Sequence, residues 1–147
     1  GADVGIEVCE EAIDYARKHY PGPGYIIGRL ENKPWSGRFD TIVSFETLEH
    51  LVQPDVALQH FAGSLSEHGK FICSVPNEEH YPFHRETFKD DRYPHQRHYT
   101  PSELEGLLEP WFRVEKRYCQ KSKRDPEIRE GTEGRFLVFV CKLLPLR

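Results

Sequence analysis

Methionine is absent from all 147 residues, and so is any C-x-x-C pair. No apolar run approaches the ~20 residues that span a bilayer. The first absence fits a chain whose beginning lies upstream and equally one whose initiator was removed before Gly1. The second leaves Cys9, Cys73, Cys119 and Cys141 widely separated. Three of them fall in apolar, strand-like runs where a thiol behaves as a small hydrophobe, so they read as reduced core residues without a disulfide or metal role. The third points to a soluble, cytoplasmic chain with no membrane partner. Glu7, Glu10, Glu11 and Asp14 stand where a signal peptide would be basic and then apolar. A basic excess is missing as well: 20 Lys and Arg face 24 Asp and Glu, a formal net charge of −4. Binding driven by phosphate neutralisation is therefore disfavoured, and no nucleic-acid partner is expected.

What is present suffices for one domain over residues 1–147. Nine Phe, seven Tyr and two Trp supply the bulk of a core. Residues 3–8 read as a short strand. The following run to Tyr20 places Ala12, Ile13, Ala16 and Tyr20 at helical spacing, with acids first and Arg17, Lys18 and His19 last, as the helix dipole prefers. Pro21-Gly-Pro-Gly24 stops it, and 25–27 is a second strand. A polar, turn-rich stretch at 28–38 leads to a buried strand at 39–44. Pro54 opens a helix that bears Val56, Leu58, Phe61, Ala62 and Leu65 and ends at His68-Gly69. Residues 70–75 form another buried strand. The His-rich stretch 78–99 shows no period and is long for a plain connection. Thr100-Pro-Ser-Glu103 is a capping box that starts a helix carrying Leu104, Leu107 and Leu108. Residues 112–119 and 135–142 read as late strands. Between them lies a charged loop, 120–134, in which Lys121, Lys123 and Arg124 mix with Asp125, Glu127 and Glu130.

Strands alternating with helices, followed by two late strands, predict an α/β, Rossmann-like, mostly parallel sheet with a reversed C-terminal edge strand. In such sheets ligands sit beyond the carboxyl ends of the parallel strands. That rule selects Glu7 and Val8, residues 28–31, residues 44–50, and Val75 onward. An acid just past the first strand, Glu7, is placed to accept hydrogen bonds from vicinal ribose hydroxyls. Ser44-Phe-Glu-Thr-Leu-Glu-His50 gathers two carboxylates and an imidazole at the same edge, with Glu46 and His50 on one face if the turn is helical. The spacing does not fit the two-histidine zinc helix, so no metal is assigned.

Val4-Gly-Ile-Glu7 with Ala12-Ile13 and Ala16, then Phe39-Asp-Thr-Ile-Val-Ser-Phe-Glu-Thr-Leu-Glu-His50, Ser74-Val-Pro-Asn77 and Tyr99-Thr100, run through nearly the whole chain. This pattern resembles the class I S-adenosylmethionine-dependent methyltransferases, and most closely the small-molecule branch with E-x-L-E-H and V-P-N motifs. The resemblance implies methyl transfer from S-adenosylmethionine to a sugar, quinone or other metabolite. It implies that Glu7 holds the ribose hydroxyls and Val8 packs on the adenine. Arg29 and the Leu30 backbone would meet the adenine edge, while Ser44, Phe45 and Glu46 would line the methionine portion. His50 would stand near the mouth, and loop 78–99 would cover the substrate side. The family's glycine-rich loop, with the first strand and helix, is expected before Gly1. The domain then reads as incomplete, its sheet completed by an upstream segment or by a second copy in a homo-oligomer. Arg29 stands where the family often has an acid.

For the acceptor's proton the candidate bases are His80, His84, His95 and His98, of which His98 is favoured. Tyr81, Phe83, Phe88, Tyr93 and Tyr99 either stack on the acceptor or anchor the loop. Two other readings stay open. One is a non-catalytic, methyltransferase-like interaction module; the other is a metal-binding domain using His80, His84, His95 and His98.

Overall fold

A computed structural model describes residues 3–88, 92, 94–122 and 124–145. Tyr93 and Lys123, singled out above, lie outside the described residues. The chain divides into two compact units, residues 1–37 and 38–147.

In the first unit, β1 (Val4–Glu7) and β2 (Gly24–Ile27) pair in parallel, joined by α1 (Glu10–His19). Ile13 is the buried residue of α1, and the helix holds acids in its first turn and bases in its last. Cys9 at the N-cap makes no side-chain cap. Instead Glu7 Oε1 accepts from the amides of Val8 (2.8 Å) and Cys9 (3.0 Å), which satisfies the turn into the helix. A 3-10 turn, Leu30–Asn32, follows β2.

The second unit is a five-stranded sheet in the order β3-β4-β7-β5-β6. Its strands are β3 (Phe39–Phe45), β4 (Leu65–Pro76), β5 (Phe112–Ser122), β6 (Asp125–Glu130) and β7 (Phe136–Leu143). β3 and β4 are parallel, while β7 runs antiparallel to both β4 and β5. On one face of β4, Phe71, Cys73 and Val75 lie buried beside Cys141, Phe139 and Leu137 of β7. The helix α2 (Pro54–Ser64) brings Phe61 to 5.5 Å from Phe71, whose ring stacks 5.0 Å from Phe112. The short helix α3 (Arg85–Phe88) and α4 (Pro101–Leu108) complete the unit, with Leu104 and Leu108 fully enclosed. No disulfide is present among the four cysteines. Hydrogen bonding to the Cys141 thiol, together with burial, pushes the Cys73 thiol well above its ordinary range. Among the described residues no helix is long and apolar enough to cross a membrane.

The α/β, Rossmann-like class is as expected, but the five-stranded sheet is not mostly parallel, since only β3–β4 pairs that way, and three further details differ from the sequence reading. The C-terminal strand is not at the edge: β7 lies between β4 and β5. Its run Phe136-Leu-Val-Phe-Val-Cys141 is apolar at every position, which suits an interior strand, whereas polar β6 takes the edge. The charged loop 120–134 is largely strand, because β5 continues to Ser122 and pairs with β6. All of β6 beyond Asp125 is exposed, so no apolar period marked it. Finally, α2 stops at Ser64 instead of His68-Gly69. The Ser64 hydroxyl donates back to His60 O (2.8 Å), and Leu65 turns extended to pair with Phe39.

Candidate functional site

In the first unit, the parallel register sets Glu7 opposite Ile27, and the Gly28 amide donates to Glu7 O (3.0 Å). Glu7, Val8, Arg29 and Leu30 therefore share the carboxyl edge of the β1–β2 pair. Glu7 and Val8 are exposed. The Glu7 carboxylate spends Oε1 on the two turn amides, and no described hydrogen bond uses Oε2. Arg29 Nε lies 4.0 Å from Glu31 Oε2. Gly28 is sterically required, since a Cβ there would sit 2.8 Å from Pro34 Cβ and Cγ.

The second unit gathers Ser44, Phe45, Glu46, Glu49 and His50 where β3 ends. Ser44 is buried, and its Oγ has no hydrogen-bond partner among the described residues. Phe45 is exposed. Glu46 adopts a left-handed backbone (φ 48°), a strained state for a residue with a side chain. Ser74 pins it there: the Glu46 amide donates to Ser74 O (3.0 Å), and Ser74 Oγ donates to Glu46 Oε1 (2.8 Å). Thr47 is also non-helical, and only Leu48–His50 forms a 3-10 turn. Glu46 and His50 consequently do not stack on one helix face. It is Glu49 that turns inward, 0% exposed, with neither carboxylate oxygen hydrogen-bonded. Burial, reinforced by the charge of Glu46, pushes its carboxyl from 4.5 up to about 8.

The 94–99 segment closes over this turn. The Gln96 amide donates to Glu49 O (2.7 Å), and the Tyr99 hydroxyl donates to Leu48 O (3.3 Å). His95 then meets His50 edge to face at 4.5 Å and stacks on Phe88 at 4.1 Å. His98 has no exposed side-chain surface. Its Nδ1 lies 2.6 Å from Tyr81 O and its Nε2 2.8 Å from His95 Nδ1. Burial lowers its pKa below the ordinary imidazole value. The base expected at His98 is thus an enclosed imidazole with both nitrogens engaged. Of the loop aromatics, Phe88 and Tyr99 are buried and anchor the loop, while Tyr81 and Phe83 are half-buried. His80 and His84 are exposed. Among the described residues the histidine and acid cluster is Glu49, His50 and His95, whose donor atoms all lie within 4.8 Å of one another. The sequence offered Glu49 as one of two acids at this edge and His95 as one of four loop histidines, but nothing local showed that these two would meet.

Asn77, of the V-P-N motif, is structural. Its Nδ2 donates to Thr132 O (2.9 Å) and Gly134 O (2.8 Å), and its Oδ1 accepts from the Glu79 amide (3.2 Å). A cleft of about 560 Å³, lined by Trp111 and Leu143 among others, lies at the opposite end of the sheet, where β5 begins and β7 ends. It is at the wrong strand ends for the ligand edge of an α/β sheet.

A family model described as a methyltransferase domain matches residues 4–110. The chain belongs to that family. Solved structures support the fold of this methyltransferase domain. A SAM-dependent methyltransferase from Thermotoga maritima is 23% identical with a TM-score of 0.80, over 95% of this chain and 72% of its own. The N-methyltransferase NodS from Bradyrhizobium japonicum, in complex with S-adenosyl-L-homocysteine, is 17% identical with a TM-score of 0.68, over 97% and 66%. A complex between the Haloferax volcanii Trm112 methyltransferase activator and a methyltransferase matches at 18% identity and TM-score 0.77, over 98% and 72%. At these identities the likeness is one of fold. Among curated proteins no sequence matches the chain.

Proposed function

We propose that this methyltransferase domain transfers the methyl group of S-adenosylmethionine to a small-molecule acceptor in the cytoplasm. The family match over residues 4–110 carries the reading. Two features suit the cofactor: an exposed acid at the carboxyl edge of β1, and the buried Ser44 hydroxyl with no partner among the described residues. When bound, the cofactor supplies a methyl group activated on a sulfonium, which leaves a neutral thioether as the new bond to the acceptor forms.

The protein's own work is alignment, exclusion of water and removal of the acceptor's proton. Glu7 holds the ribose hydroxyls through the oxygen that its turn does not use. Val8 packs on the adenine, with Arg29 and the Leu30 backbone at its edge. Ser44, Phe45 and Glu46 line the methionine portion, and the Glu46–Ser74 brace keeps that wall in one shape. Residues 78–99 cover the acceptor, and His50 meets it. His98 supports His95 from behind, because its ring has no surface of its own.

Isothermal titration of S-adenosylmethionine and S-adenosyl-L-homocysteine tests this, using this chain and a version extended upstream. Binding is expected, and Glu7→Ala should weaken it at least about tenfold, since hydrogen bonds to a carboxylate are worth ~1.5–3 kcal/mol each. Absence of binding by both forms would overturn the reading in favour of a non-catalytic module.

A further inference from the structure

Glu49 poses a problem that the methyl-transfer reading leaves unsolved. Its carboxylate is fully enclosed, and neither oxygen has a hydrogen-bond partner among the described residues. A buried carboxylate is not kept in such a place without a proton or a cation. Beside it, His50 buries an Nδ1 that also lacks a partner, and its Nε2 lies 3.9 Å from Glu49 Oε1.

The histidine pair behind the site fixes a tautomer. Tyr81 O can only accept, so His98 carries a proton on Nδ1, and in the neutral ring its Nε2 is an acceptor. The partner at 2.8 Å, His95 Nδ1, must then donate, which leaves the lone pair of His95 on Nε2. This is how an outer residue orients a ligating imidazole. The backbone bond from Gln96 to Glu49 O holds the two chain segments together independently of any ligand.

We propose that Glu49, His50 and His95 bind a divalent first-row transition cation. One carboxylate and two imidazoles, with donor atoms within 4.8 Å of one another, match the set that zinc and its neighbours take in sites with an open position. The remaining coordination position takes water or an oxygen of the acceptor. A carboxylate replaces the missing hydrogen bonds with a metal bond, and Glu46 adds negative charge nearby. The site rests on the methyltransferase reading only for the identity of that acceptor.

The test uses the whole chain, stripped with a chelator and titrated with Zn2+ or Mn2+ alone. One ion per chain is expected. Glu49→Gln, which keeps the shape of the side chain, should lower affinity by more than the ~10–100-fold that loss of an outer partner costs. His50→Gln should act in the same direction, and circular dichroism verifies that each variant is folded. His80→Ala and His84→Ala, at exposed positions, should leave affinity unchanged. Co2+ should give a spectrum of nitrogen and oxygen ligands. A thiolate band, binding that survives Glu49→Gln, or binding lost with His80 or His84 would each overturn the proposal, as would no binding at all. Titration of S-adenosylmethionine on the same sample separates the two readings. Cation binding without cofactor binding sinks the transferase and keeps the metal site, and the reverse result does the opposite.

Discussion

Asn77→Ala removes the amide that ties together the carboxyl end of β4, the turn before β7 and the start of the 78–99 segment. Two donated bonds and one accepted bond disappear, each worth about 0.5–1.5 kcal/mol net. The larger cost is the stranded carbonyl of Gly134, which is buried and has no water to turn to; such a group costs ~1–3 kcal/mol. Allowing for relaxation of the more open Thr132 carbonyl, the loss is about 2–4 kcal/mol. Urea unfolding followed by circular dichroism should show the midpoint falling by about 1–2 M. Asn77→Asp sharpens the argument. It places carboxylate oxygen against two carbonyl oxygens, so at neutral pH it should be worse than alanine. Its carboxyl is then raised above the ordinary value near 4, and the deficit shrinks as pH falls and the acid gains a proton to donate. An alanine variant losing under about 1 kcal/mol, or an aspartate variant no worse than alanine at neutral pH, would refute the view of Asn77 as a brace.

Three further perturbations probe the same unit. Thr100→Ala breaks the capping box in which Thr100 Oγ1 accepts from the Glu103 amide and Glu103 returns the bond, and thermal melting should report about 1 kcal/mol lost. Gly134→Ala sets a Cβ 2.8 Å from both Cys119 Cβ and Gln120 O, so ~1–3 kcal/mol should be lost in chemical unfolding; a neutral result would mean that β5 moves freely. Burial pushes the Tyr99 phenol up to about 12. The unfolded chain ionises it near 10, so its contribution is intact below that pH and is lost as pH rises from about 10 to 12. Phenolate absorbance should show a lagging tyrosine that Tyr99→Phe removes, and uniform titration near pH 10 would contradict the burial argument.

Elements whose burial has a period were legible in the sequence. The apolar pattern of α2, the capping box of α4 and the β-branched run of β3 each carry their own physical signature, and each element starts where that signature places it, although α2 stops at Ser64. β6 carries none: it is a strand through backbone pairing with β5, while its side chains face water. The position of β7 is written in its composition. An edge strand has no use for apolar residues at both alternations, so Phe136–Leu143 belonged inside the sheet on composition alone.

The site was legible to the depth of one strand end and no further. The sequence order places Ser44 to His50 beyond β3, so any α/β reading gathers two acids and a histidine at the ligand edge. Which acid turns inward depends on the left-handed Glu46, and that conformation is held by Ser74 on the neighbouring strand, a contact with no local signal. His95 arrives through a backbone bond from Gln96 to the Glu49 carbonyl, equally invisible to spacing. A residue such as Glu49, flanked by Leu48 and His50, reads as an ordinary polar turn until both of those long-range bonds are known. Once they are known, its burial has to be explained. The fold encloses a carboxylate while offering it no hydrogen bond, yet spends a two-histidine relay on orienting a third nitrogen toward the same corner. A neutral, purely structural glutamic acid would need no such relay, and its replacement by glutamine would leave cation affinity untouched.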